Sequence, residues 1–181
     1  MICSALAFIG ALWLSSCASP DPVTEILVSM DTDMVRRGDV SPTPALSLIR
    51  LELLVPGEPP RTGFTAIVLE EYRERVDPPV SWGVWDVDDP LEQIEIVVTG
   101  VGEDVEPIVE KRARLGFVRN DVRLLCLDLM SACVGFECLG DTTCHVGEMG
   151  VAACVPIDID VSRLPIYRGD ETDCLADWPD W

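Results

Sequence analysis

The sequence predicts an all-β fold, an antiparallel sandwich followed by a short cysteine-rich segment, and three observations carry that reading. Short stretches rich in β-branched residues partly alternate apolar with polar side chains, as a half-buried pleated surface requires. Clusters of Pro, Gly, Asp and Asn separate those stretches at short intervals. Six of the eight cysteines fall between Cys126 and Cys174.

The elements follow in order. Ile2 to Leu14 is apolar apart from Ser4, and at about 13 residues it is too short for the roughly 20 that span a bilayer, so it reads as an export signal. The first strand is expected at Glu25 to Met30 (EILVSM) and the second at Leu46 to Val55 (LSLIRLELLV). Further strands are expected at Phe64 to Leu69, Val80 to Val87, Gln93 to Thr99, Ile108 to Phe117 and Val122 to Leu129. Between them stand Pro42 and Pro44, the run Pro56-Gly57-Glu58-Pro59-Pro60, Pro78-Pro79, Asp88-Asp89-Pro90, Gly100 to Asp104 and Arg119-Asn120-Asp121. These residues favour bends or remove backbone donors. Leu69 to Arg75 has the pattern for a helical turn or two. Seven short strands spaced in this way fit an Ig-like β-sandwich. The expected boundaries are residues 1–16 for the signal peptide, 17–23 for a tether, 24–129 for the sandwich and 130–181 for a Cys-rich region with an acidic tail.

Thirty-two acidic residues against thirteen basic ones give a formal charge of -19. That balance argues against nucleic acid and against anionic lipid headgroups, both of which require basic clusters. The cysteines agree with export, since an even set in an exported chain reads as disulfides; six cysteines admit fifteen pairings. A zinc set of Cys133, Cys138, Cys144 and His145 is the competing reading, but no C-x2-C pair occurs and exported thiols oxidise. His145 is the single histidine, which rules out two-histidine metal motifs; it is expected at the surface without a role. Trp82 and Trp85 stand three apart, so a regular strand directs one to the core and the other outward. The outward one is a candidate ligand platform. Asp31 and Asp33, Asp86 with Asp88 and Asp89, and Asp158 with Asp160 are weak calcium candidates, none matching an EF-hand loop. No other cofactor is expected.

Behind the apolar segment the run Leu14-Ser15-Ser16-Cys17 resembles the lipobox of bacterial lipoproteins. That resemblance implies cleavage before Cys17, acyl chains such as palmitate on its sulfur, and membrane attachment through them. Such signals usually begin with a basic region, whereas no Lys or Arg precedes Arg36; a start codon assigned too far downstream would account for this. Ala18 follows Cys17, without the Asp that often retains such proteins in the inner membrane, so the resemblance points to the outer membrane. Further on, CVGFECLGDTTCHVGEMGVAAC from Cys133 looks like the disulfide knuckle of EGF-like and follistatin-type modules. Carried over, it implies Cys133 with Cys144 and Cys138 with Cys154, leaving Cys126 with Cys174. Lipobox, β domain and Cys-rich knuckle together are similar to lipoproteins of Gram-negative bacteria.

The expected function is therefore a non-enzymatic binding or structural module of the cell envelope, whose partner is an envelope protein or a glycan. The alternative is an envelope carbohydrate hydrolase using two carboxylates. Among so many acidic residues a suitably spaced pair arises by chance.

Overall fold

In a computed structural model the described residues are 24–34, 45–65, 80–85, 93–102, 104–147 and 149–169. They form nine strands: β1 (Glu25–Met30), β2 (Leu48–Leu54), β3 (Arg61–Thr65), β4 (Val80–Trp85), β5 (Ile94–Val101), β6 (Pro107–Leu115), β7 (Val122–Cys126), β8 (Thr142–Val146) and β9 (Ala152–Pro156). Two single turns of 3-10 helix, Ser131–Cys133 and Val161–Arg163, complete them. Six of the seven strands expected from the sequence form, with ends shifted by a few residues; of the one expected at Phe64 to Leu69 only Phe64 and Thr65 are described, at the end of β3, and the rest lies outside the described residues. The helical turn expected at Leu69 to Arg75 lies outside the described residues, as do Cys17, Asp86, Asp88 and Asp89.

The fold is an all-β sandwich with a disulfide-rich C-terminal knuckle. One sheet has the order β4-β1-β7 and the other β3-β2-β5-β6. Pairing is antiparallel except between β1 and β7, which run parallel. In β1, Ile26, Val28 and Met30 face inward and are essentially fully buried. Opposite them, Ile49 and Leu51 of β2, Ile96 and Val98 of β5, and Ala113 and Leu115 of β6 supply the other half of one hydrophobic core. This period-two burial is what the alternating sequence of β1 and β2 dictates.

β5 departs from alternation, because all eight of its residues are buried. On its inner face it fills the core; on its outer face Glu95 is held by Arg112 and Arg114 of β6, which in turn reach the knuckle. A strand between two neighbours and covered on both faces loses the polar half of its pattern.

The knuckle is a hairpin of β8 and β9, with Cys144 paired to Cys154 in register. The bonds Cys133–Cys144 and Cys138–Cys154 are formed, as the knuckle resemblance implies. Cys126 is also disulfide-bonded, while the partner expected for it, Cys174, lies outside the described residues. Disulfides persist in oxidising compartments, which places this domain outside the reducing cytosol. Cys133 and Cys144 belong to the sandwich's own core, so knuckle and sandwich share one hydrophobic interior. Among the described residues no helix is long and apolar enough to cross a membrane.

Candidate functional site

The seam between β6 and the knuckle gathers the chemistry of the described residues. The outer edge of β6 is its starting point, since β5 occupies the other edge. Towards its C-terminus that edge is taken up by the knuckle: Arg114 donates its amide to the Ile157 carbonyl at 2.6 Å and accepts from the Ile159 amide at 2.8 Å. One step back, the Arg112 amide donates to Thr143 Oγ1 at 2.9 Å. Side chains reinforce the join. Arg112 is 2.6 Å from Glu95 Oε1, and Arg114 bridges Glu95 at 3.2 Å and Asp141 at 2.8 Å. Arg112 also reaches the Gly140 carbonyl at 3.2 Å. Glu95 is only 9 % exposed, and its two oxygens are shared between the guanidiniums, so its hydrogen-bonding capacity is met below the surface.

On the inner side of the same strand sits Lys111, only 5 % exposed. Burial lowers its ammonium to about 8 against a weaker opposing pull from Asp128. Its Nζ lies 3.5 Å from Nδ1 of His145, at the outer limit of a hydrogen bond, with the ammonium as donor and the neutral ring as acceptor. Burial, and then the neighbouring Lys111, holds the His145 imidazole below its ordinary range. Burial pushes the Asp128 carboxyl upward, partly offset by Lys111; the residue as a whole stays exposed, so water moderates that effect. His145 is thus half-buried against a lysine rather than fully at the surface. Its position one residue beyond Cys144 on β8 puts it there, and the sequence carried no signal for Lys111 as its neighbour.

Next to this cluster, a groove of about 400 Å³ runs between the first half of β6 and the loop joining Cys133 to Cys144. Ile108, Glu110 and Arg112 line one wall, and Phe136, Glu137 and Leu139 the other. Phe136 is 43 % and Leu139 83 % exposed. Neither Lys111 nor His145 lines this groove. A glycosidase acid needs a carboxyl raised by burial, whereas Glu110 and Glu137 are both exposed.

The remaining sequence candidates are distributed elsewhere. Trp82 pairs with Val28 and packs against the core, while Trp85 pairs with Glu25 on the outer face and is 60 % exposed. The two tryptophans therefore lie on opposite faces and do not form one platform. Asp31 Oδ1 accepts from the Thr32 amide, and Asp33 accepts from both the amide and the hydroxyl of Ser131, fixing the start of the Ser131–Cys133 turn. Asp160 caps Val161–Arg163 through Ser162. Among the described residues no group of three His, Cys, Asp or Glu side chains could hold a metal ion. Comparison with protein-family models, curated proteins and solved structures finds no match.

Proposed function

We propose that this chain is a lipoprotein held at the bacterial outer membrane through acyl chains on Cys17, and that its β domain is a non-enzymatic binding or structural module of the cell envelope. One observation carries the binding part: the groove beside β6 is open and rigidly framed, with Ile108, Phe136 and Leu139 in its lining. Two disulfides and the Glu95–Arg112–Arg114 network fix its walls. Rigid walls presenting Phe136 and Leu139 suit recognition, because little side-chain freedom is lost when a partner binds. The anchoring part rests on the lipobox together with the charge of -19, which leaves the acyl chains as the source of membrane affinity.

Labelling cells with a palmitate analogue and fractionating their envelopes tests the anchor. Label and outer-membrane location should both disappear in Cys17→Ala; an unlabelled wild type, or a variant still held in the membrane, would remove the anchor. The binding role is tested by placing a photo-crosslinking side chain at position 139 of the full-length protein and, separately, at position 85. A discrete adduct is expected from position 139, and no adduct from either would sink the reading.

A further inference from the structure

The edge of β6 defines what the groove can hold. Along a strand the backbone polar groups of alternate residues point to the same side, and those of Arg112 and Arg114 point away from β5, as their bonds to Thr143 and Ile157 establish. Glu110 is the next residue in that series, so its N–H and C=O point the same way, along the groove it lines. They have no partner among the described residues. A register shift opposite Gly100 and Val101 ends the regular ladder just beyond. The knuckle thus covers the second half of this sheet edge and leaves a short open stretch at Glu110. An unpaired edge of this kind is complementary to an extended peptide backbone.

Charge selects among such peptides. The carboxylates of Glu110 and Glu137 stand on opposite walls, while Arg112, the one guanidinium in the lining among the described residues, is committed to Glu95 at 2.6 Å. The groove therefore presents uncompensated negative charge, on a protein whose net charge is -19. A second copy of this chain would bring the same charge and be repelled. Between the carboxylates, Phe136, Leu139 and Ile108 offer apolar contact.

We infer that this groove binds an extended, cationic segment of a partner protein, one that pairs its backbone with Glu110 and alternates Lys or Arg with apolar side chains. The inference rests on reading the domain as a binding module and names the surface and the chemistry of what it takes.

The test uses the full-length protein in detergent at about 0.15 M salt, where general attraction to the acidic surface is screened beyond about 8 Å. The probe is a short blocked peptide alternating Lys and Val. It should bind, and a Glu–Val peptide of equal length should not. Methylating the backbone amides of the Lys–Val peptide keeps its charge but removes its donors, and should weaken binding by about tenfold or more. The pair E110K and E137K should weaken it by a similar factor, whereas the same charge change two strands away, E52K with E58K, should leave it within about twofold. No binding of the Lys–Val peptide, undiminished binding of its methylated form, or indifference to E110K with E137K would each overturn the inference. So would concentration-dependent dimers abolished by that variant pair, since the occupant would then be a second copy. A crosslink from position 139 to an envelope protein that survives E110K with E137K would leave the binding role of the groove standing and overturn the cationic segment as its occupant.

Discussion

Lys111 is a residue whose burial costs the fold stability, and its size and direction can be read from its proton affinity. Burial lowers the ammonium from 10.5 to about 8, and the pull of the Asp128 carboxylate offsets only part of the loss of water. Below about pH 8 folded and unfolded chains both hold the proton, and the folded state bears the whole penalty. Between about 8 and 10.5 the unfolded chain keeps a proton the folded one has released, so stability climbs with pH; above 10.5 the penalty is gone. The shift corresponds to roughly 3 kcal/mol as an upper bound. Lys111→Met, with a similar unbranched side chain and no charge, should raise stability at pH 7 by about 1–3 kcal/mol. Denaturant melts of wild type and variant across this range should converge as pH approaches 10.5. A variant less stable than wild type at pH 7 would mean that the contact with His145 outweighs the cost of burial. His145 acts at the other end of the scale: with its folded affinity lowered by burial and by Lys111, stability present above pH 6.5 is lost as pH falls through and below that value.

At the scale of elements, the two described disulfides differ in what they hold. Cys133–Cys144 joins residues 11 apart and Cys138–Cys154 residues 16 apart, so loop closure alone gives the second a slight advantage, with both near 3 kcal/mol. Burial reverses the order. Cys133 and Cys144 are 5 % and 3 % exposed and lie in the core, whereas Cys154 is exposed. Replacing the first pair by Ser should cost about 1–3 kcal/mol more than replacing the second, because it also buries two hydroxyls; chemical denaturation of the two variants gives the comparison. Gly100 makes a second test of how tightly side chains pack around β5. A Cβ there would stand 2.6 Å from Val109 Cγ1 and 2.8 Å from Leu46 Cδ2, so Gly100→Ala should destabilise by about 1–3 kcal/mol and lower the melting temperature. Elements with one wet face were legible in advance: β1 and β2 alternate, and the sequence places both. The hairpin of β8 and β9 was not, since its cysteines and glycines read as a bonded loop and its two strands carry no sustained alternation. Nor was the second buried face of β5, which depends on Arg112 and Arg114 arriving from the next strand to hold Glu95.

The whole molecule is governed by its charge, and the candidate site shows how little of that is visible locally. Glu110 and Glu137 are 27 positions apart in a chain with 32 acidic residues, so no spacing marks them as two walls of a groove; only the return of the knuckle onto β6 brings them together. The same holds for Lys111 and His145, which belong to different strands. Export, by contrast, was legible in the even cysteine set, because disulfide chemistry depends on composition more than on fold. A charge of -19 has a consequence for stability that no single contact contains. Like charges repel across the compact state and relax when the chain unfolds. Among the described residues one network that opposes this, around Glu95, is largely shielded from solvent, so salt weakens it less than it weakens surface repulsion. Raising ionic strength from about 0.01 M to 0.15 M shortens the screening length from about 30 Å to 8 Å, well below the span of the domain. The melting temperature should therefore rise with sodium chloride over this range, by a few degrees for each kcal/mol of repulsion removed. Glu95→Gln breaks the network without a loss of volume and should lower the melting temperature at every salt concentration while keeping the upward slope. A melting temperature that instead falls as salt is added would show that ion pairs, rather than self-repulsion, dominate the electrostatics of the folded chain.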